Sequence, residues 1–510
     1  MSLYEDLGFN NHPFTKSNAD EEPRLTDYFV FPPYFDAVLG DSENPSPCIV
    51  FAPRGAGKTA LKRMIDDAGI DKKFLSVTYN RFNFSNNEKL ENISLSYHLR
   101  NIITRVLISL LSYISENDDL LKNLNKDEKK NLYIFTVNYL GDLTGDELQE
   151  IVHELKGLPD KFKEFWSKNV GFMEKAINFI LTRYDLDKID LPDLETESKK
   201  LSQTYKHQLE ILLSLSKKVG FRSIYILIDK VDETELTGND SEATYKLIKP
   251  LIKDLDLLEA NGYGFKFFLW DAIQDKYRAE GRPDRVATYN LSWDRVGLKE
   301  ILSERLKAFS DQKVTSLKDI TEDRKKEDFD IDDAICIMAN KSPRNMIRIC
   351  ESILAEQSMA FGNPKKISVN YADLGIIKYC ENIVHEIYTE RSIKEVQKVG
   401  RELFTTNYVA NDVLKITGEG ARNKITGWTR EGIVKHIGTI SQETSKKPLN
   451  FYCIVDPAFV RLIHRRTPLE KFVKDRWLPC EYCRTDNIMD IEYFTDNNDA
   501  VCRECGRDLI

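Results

Sequence analysis

The residues Ala52-Pro53-Arg54-Gly55-Ala56-Gly57-Lys58-Thr59 join a glycine-rich turn to a lysine and a hydroxyl. Glycines allow the backbone to curl so that successive N–H groups point at one anion. Lys58 then offers a mobile charge for outer phosphates, and Thr59 a hydroxyl for Mg²⁺. The chemistry this permits is capture of a nucleoside triphosphate, with ATP and Mg²⁺ as the expected pair. Ala52 stands where glycine usually opens the motif, a substitution such loops commonly show.

A second chemical element is Asp229, which closes the apolar run Ser223–Ile228 and is placed to hold Mg²⁺ through water opposite Thr59. A third is the tail C-x₂-C-x₁₈-C-x₂-C formed by Cys480, Cys483, Cys502 and Cys505. Two tight turns carrying four thiolates enclose Zn²⁺ with no open position, so such a site is structural. The acids between them, Asp486, Asp490, Glu492, Asp496 and Asp499, repel phosphate and suggest a docking knob for a protein partner. The remaining cysteines, Cys48, Cys336, Cys350, Cys380 and Cys453, lie among apolar residues and read as buried thiols.

These groups need elements to carry them. Cys48-Ile49-Val50-Phe51 reads as a buried strand feeding the glycine turn, and Ala60 onward as the helix after it. Lys73 to Tyr79, Ser223 to Ile228 and Phe265 to Trp270 read as further strands, with Asp271 closing the last. Strands alternating with helices predict an α/β fold: a three-layer, parallel-sheet P-loop core whose ligands sit at the strands' carboxyl ends. Residues 90–218 read as a large helical insertion. Residues 1–45, rich in proline and aromatics, form a lead-in that either offers an apolar slot to a purine or packs as a lid over the core edge. The expected order is therefore this lead-in, a core over 46–290, a helical lid over 291–395, a winged helix-turn-helix over 396–470 and a zinc ribbon over 471–510.

The winged module is expected to place a first helix on Val409, Val413, Leu414 and Ile416, a turn on Thr417-Gly418-Glu419-Gly420, and a second helix from Ala421 that Gly432 ends or kinks. Arg422, Lys424 and Arg430 on that helix suit a major groove, with Lys446 and Lys447 in the wing loop on phosphates. Double-stranded DNA is the expected partner, although winged helices on ATPases also serve protein contacts. Residues 401–466 hold eleven Lys or Arg against six Asp or Glu, a local excess of about five charges in a chain whose net charge is −9.

From the glycine turn and Asp229 onward, the chain resembles STAND-type signalling ATPases and AAA+ ATPases of the origin-recognition kind. Those families usually place a second acid directly after the Walker B aspartate; this chain has Lys230 there, leaving Asp232 or Glu233 as substitutes. The resemblance implies a polar sensor at Asp271, and a second sensor at Arg344 within Ala339-Asn340-Lys341-Ser342-Pro343-Arg344 that reaches the γ-phosphate. It also implies arginine fingers at Arg282 or Arg285 acting on a neighbouring copy, hence a homo-oligomer. An ATP-driven switch, with a setting in mobile elements or phage defence, is the implied function; a DNA-binding regulator that uses ATP structurally is the alternative.

Composition bounds these readings. Hydrophobic residues make up 41% and charged residues 30%, as in a soluble globular protein of several domains. The opening Met1-Ser2-Leu3-Tyr4-Glu5-Asp6 is acidic, and the apolar run Val106 to Ile114 is too short to cross a bilayer. A cytoplasmic protein without membrane contact is expected.

Overall fold

The computed structural model describes residues 3–82, 84, 89–116, 120, 123–140, 143, 147, 151, 155, 204–322, 329–359, 365–442, 445–488 and 501–509. The chain folds as two compact units, Phe31–Leu291 and Met1–Val30 with Ser292–Ile510. Among the described residues no helix is long and apolar enough to cross a membrane.

The first unit is built on five parallel strands: β1 (Cys48–Ala52), β2 (Phe74–Tyr79), β3 (Ser223–Ile228), β4 (Tyr263–Trp270) and β5 (Ala287–Asn290). Their order is β2-β3-β4-β1-β5, so β4 lies between the strand that feeds the glycine turn and the strand that ends at Asp229. Every residue of β1 and β3 is buried. Their unbroken apolar character is what a parallel strand covered on both faces requires. Helix α1 (Lys58–Asp67) starts inside the glycine turn and buries Leu61 and Ile65. The fold class is the three-layer α/β arrangement expected.

The stretch read as an insertion is not wholly separate from this core. Helix α2 (Leu95–Glu116) buries Ile102, Ile103, Val106 and Leu110 in the same apolar cluster as Leu75 and Val77 of β2. Helix α4 (Tyr205–Lys218) leads into β3 and shares that cluster through Leu209, Leu212 and Leu215. Between them α3 (Lys126–Leu140) is helical as expected, and residues 156–203 lie outside the described residues. Helical periodicity marks an apolar face but not the layer that the face meets, so α2 and α4 looked like part of an insertion.

His98 on α2 locks three elements together. Its Nδ1 accepts from the Tyr79 hydroxyl at the end of β2 (2.9 Å), and its Nε2 donates to the Leu247 carbonyl of α5 (Ser241–Ile252; 2.8 Å). Both bonds suit the neutral ring. Burial pushes the imidazole down to about 4, against the partial opposing effect of the Leu247 bond.

The second unit carries the helices α7 (Arg295–Phe309), α8 (Ile331–Ala339), α9 (Pro343–Ser358) and α10 (Val369–Ile387), the intervening α6 (Gln274–Glu280) belonging to the first unit. The lead-in divides: its first thirty residues belong to this unit and the rest to the first. Arg305 of α7, only 1% exposed, is the cause. Its guanidinium donates to the carbonyls of Pro13 (2.5 Å) and Lys16 (3.1 Å), to Glu22 Oε2 (2.6 Å) and to the Tyr28 hydroxyl. A buried arginine needs its donors satisfied, and this chain segment satisfies them.

Beyond α11 (Glu390–Val399) comes a three-stranded antiparallel sheet in the order β6-β8-β7, formed by β6 (Leu403–Thr405), β7 (Val434–Gln442) and β8 (Ser445–Ile454). Helix α12 (Gly418–Arg430) packs Ala421, Ile425 and Trp428 inward. It begins earlier than expected, because the Thr417 side chain accepts from Gly420 N and caps the helix, drawing the anticipated turn into its first coil. The expected first helix is a single π-type stretch, Tyr408–Val413. Gly432, at φ 76, ends α12, with its N–H on the Thr429 carbonyl. Lys446 and Lys447 fall on β8 and not in a loop, since the hairpin pairing continues out to Gln442 and Ser445.

The pH dependence of the first unit follows from His98. In the unfolded chain its pKa is near 6.5, so between about 6.5 and 4 the unfolded state binds the extra proton. Stability is fully present above pH 6.5 and is lost as pH falls towards 4, by on the order of 3 kcal/mol. Urea melts across that range should show the slope, and His98→Gln should flatten it; an unchanged slope in the variant would place the titrating group elsewhere.

Candidate functional site

The glycine turn leaves β1 at Ala52 and re-enters helix at Lys58. Gly55 (φ 77) and Gly57 (φ 103) both sit in the left-handed region that glycine tolerates, and these two positions give the loop its curl. Lys58 Nζ turns back onto the carbonyls of Ala52 (3.0 Å) and Pro53 (3.3 Å). Burial lowers the Lys58 pKa, while the charges of Asp232, Asp229, Asp271 and Glu233 oppose the shift. Four acids proposed from the sequence thus lie within electrostatic reach of the loop lysine.

Asp229, 1% exposed, sits at the end of β3 with its backbone N–H on the Tyr79 carbonyl. Its Oδ2 accepts from Thr59 Oγ1 (2.9 Å) and its Oδ1 from Lys230 N (2.9 Å). A hydroxyl and a carboxylate facing one another are hard oxygen donors of the kind Mg²⁺ takes. The donor set therefore fits that ion, with Thr59 and Asp229 as the residues that would hold it.

Lys230 has φ 58, a left-handed conformation for a residue with a side chain. The turn it makes carries the following short 3₁₀ segment, Val231–Glu233, back towards the glycine loop. Asp232 is buried and Glu233 exposed. Arg54 donates to Asp232 Oδ2 from both Nε and Nη2 at 2.9 Å, and from Nη2 to Asn239 Oδ1 at 2.5 Å. Its guanidinium also lies 4.5 Å from the ring centroid of Trp270, the residue before Asp271. Arg54 is named by the motif as a cradle residue, but Asn239 and Trp270 are not. An arginine in the variable part of the loop is the only sequence signal for this cluster.

Arg344 is exposed on the first turn of α9, behind Pro343 and the Ser342 cap, in the second unit. Arg282 and Arg285, on the loop after α6, each have an acid: Asp284 for the first (2.7 Å) and Glu259 for the second (2.6 Å). Such exposed pairs are weak and leave both arginines exchangeable.

On the winged module Arg422 and Arg430 are exposed, whereas Lys424 is half-buried and ion-paired with Glu395 of α11. Lys424 is therefore engaged by a helix of its own unit. The helix presents Arg422 and Arg430 to solvent.

The four tail cysteines come together with all Sγ atoms within 4.8 Å of one another. Cys480–Cys505 and Cys483–Cys502 are 3.7 and 3.5 Å apart. Zn–S bonds of about 2.3 Å in a tetrahedron imply S···S edges of about 3.8 Å, so the cluster fits Zn²⁺. Both C-x₂-C turns use one backbone device. Arg484 N bonds to the Cys480 carbonyl and Gly506 N to the Cys502 carbonyl, with both residues at positive φ (55 and 70).

The ribbon is engaged within its own unit. Asp486, expected in a free acidic loop, lies on β10 (Asp486–Ile488), which pairs with β9 (Trp477–Pro479), and is ion-paired with Arg295 of α7. Arg484 pairs with Asp294 (3.1 Å), Arg503 donates to the Val455 carbonyl, and Lys435 of β7 to the Arg503 carbonyl. Asp490, Glu492, Asp496 and Asp499 lie outside the described residues.

No protein-family model matches the sequence, and no curated protein matches it. Solved structures do resemble it. An Aeropyrum pernix Orc1 protein in complex with DNA is 10% identical, with 90% of this chain and 98% of that one covered and a TM-score of 0.35. Cdc6p from Pyrobaculum aerophilum is 13% identical over 89% and 98% of the two chains, with a TM-score of 0.32. The Drosophila origin recognition complex bound to DNA gives 13% identity, 91% and 90% coverage and a TM-score of 0.26. Likeness at these scores does not extend to function.

The cysteine geometry makes a direct prediction. Purified protein should contain about one zinc per chain by elemental analysis, and Cys483→Ser should lose it. Because the ribbon contacts α7 and β7, that variant should also raise amide exchange around Arg295 and Lys435. Metal loss with unchanged exchange there would leave the ribbon without a role in bracing its unit.

Proposed function

We propose that this protein is an ATP-binding, AAA+-type switch of the origin-recognition kind, whose nucleotide state governs assembly on double-stranded DNA. The observation that carries the reading is the 2.9 Å contact between Thr59 and Asp229 across the sheet, beside a half-buried lysine folded back onto a glycine turn. Mg²⁺ supplies charge neutralisation to the phosphates when bound. The loop amides and Lys58 grip the phosphate chain, Thr59 and Asp229 orient the metal, and Asp271 keeps a polar group at the end of β4. Arg344 would report the terminal phosphate from the lid, which gives ATP a differential affinity for closed and open forms. Arg282 and Arg285 would act on a neighbouring copy. The setting in mobile elements or phage defence rests only on the resemblance of layout to STAND-type ATPases.

The winged module supports DNA through Arg422 and Arg430 of α12, two exposed cations on a helix whose apolar face is buried. A second reading, a DNA-binding regulator that holds ATP without hydrolysing it, is favoured by Lys230 in place of an acid and by the engagement of Asp232 with Arg54.

Calorimetry with Mg·ATP tests the first claim: wild-type protein should release binding heat and Lys58→Ala should weaken affinity at least about 100-fold. Asp229→Asn should bind nucleotide yet lose its Mg²⁺ dependence. Phosphate release with and without duplex DNA then separates the readings, since no turnover in either condition leaves only the structural use of ATP. Arg422→Glu with Arg430→Glu should weaken duplex retention and shallow its salt dependence by about one to two ions. Unchanged retention would make the wing a protein-contact module.

A further inference from the structure

The engagement of Asp232 by Arg54 ties the glycine loop to the segment after Asp229. Three features set it apart from an ordinary surface ion pair. Arg54 belongs to the phosphate-binding loop itself, two residues after Ala52 and four before Lys58. The carboxylate it holds is 4% exposed while its own side chain is 38% exposed, so the acid is enclosed and the cation reachable. The guanidinium also has a flat platform in Trp270, at 4.5 Å, and a third acceptor in Asn239.

The chain is folded to make this contact. Lys230 takes a left-handed conformation, and Asp232 two residues on meets Arg54 of the glycine loop. Asn239 N donates to the Asp232 carbonyl (3.2 Å), closing residues 232–239 into a loop whose two ends both accept from Arg54. Asp232 thereby becomes the acid that faces the glycine turn after Asp229, within electrostatic reach of Lys58.

A guanidinium fork matches a carboxylate and a phosphate equally well, and both compete for the same N–H donors. We propose that Arg54 and Asp232 form a latch worked by phosphate. Phosphate oxygens seated in the loop draw the guanidinium from Asp232, and Asp232 then orients the attacking water in the role that Lys230 cannot fill. In that step Asp232 accepts a proton from water as the water oxygen bonds to the terminal phosphorus. The bond from that phosphorus to the bridging oxygen breaks, and its electron pair leaves with ADP. Arg54 is thus a positioning residue and Asp232 the catalytic one. The inference rests on the ATP reading above and on no property of the lid or the wing.

Trp270 provides the test. In intact protein, binding of Mg²⁺ with the imido analogue of ATP should change the emission component that Trp270→Phe removes, because the cation leaves the indole face. Arg54→Ala should abolish that change, and Arg54→Lys, which keeps the charge but not the fork, should not restore it. Asp232→Asn should lower ATP turnover about 100-fold with nucleotide affinity within about 3-fold. Should Arg54→Ala fold poorly for leaving a buried acid unpaired, the double variant Arg54→Ala/Asp232→Asn removes both charges and must still lose the emission change. Absence of binding heat for Mg·nucleotide would sink the ATP reading itself. Binding heat with unaltered Trp270 emission would sink the latch alone, and wild-type turnover in Asp232→Asn, or none in the wild type, would remove Asp232 as the base.

Discussion

The hydrogen bond from Thr59 to Asp229 is the constraint on which the first unit turns. It joins the ends of β1 and β3, which are not neighbours, since β4 runs between them. Strands two places apart are separated by about 9.6 Å. A side chain at the end of β1 could not cross that gap, so the contact has to come from the turn after β1 and the first residues of α1. The two left-handed glycines bend the chain far enough to bring Thr59 across. Asp229, in turn, is buried and acceptor-only when charged, and a carboxylate there is stable only with donors arranged around it. The Thr59 hydroxyl and the Lys230 N–H supply two.

The same requirement propagates outward. Binding the Lys230 N–H to the aspartate beside it fixes that residue in a left-handed turn, at a cost of roughly 1–2 kcal/mol for a side-chain-bearing residue. The turn returns Val231 to the apolar core and Asp232 to Arg54. Hydrogen bonds to charged groups are each worth about 1.5–3 kcal/mol, and Arg54 makes two to Asp232. The ion pair thus offsets the strained turn, and the loop that touches phosphate is tied to the loop that carries the acids. Strain maintained beside a site in this way is characteristic of positions that move or react.

Much of this was legible in the sequence because its signals are local. Glycines, lysine and threonine in one octapeptide, an acid at the end of an apolar run and cysteines at two-residue spacing each declare a conformation or a ligand set within a few residues. What escaped was pairing at a distance. Arg54 meets Asp232 across 178 positions and Arg295 meets Asp486 across 191, and no periodicity encodes either. The lead-in is a third case: the buried guanidinium of Arg305, nearly three hundred residues later in sequence, binds the carbonyls of Pro13 and Lys16.

Charge counting shows how far the difference reaches. The excess of basic residues over 401–466 treats each as equally available, yet side chains from that segment are drawn into the fold. Lys424 pairs with Glu395 and Arg461 with Asp373, acids that lie outside the counted window. Lys435 is spent on a ribbon carbonyl. Arg476, also outside the window, shares Glu402 with His464. The potential presented to an anionic partner is set by the cations that remain in water, and on α12 these are Arg422 and Arg430. A nucleic-acid face is therefore a property of which acids the fold recruits, and composition bounds it without locating it. The zinc ribbon follows the same logic in reverse: Asp486, one of its acids, is answered by Arg295 of its own unit.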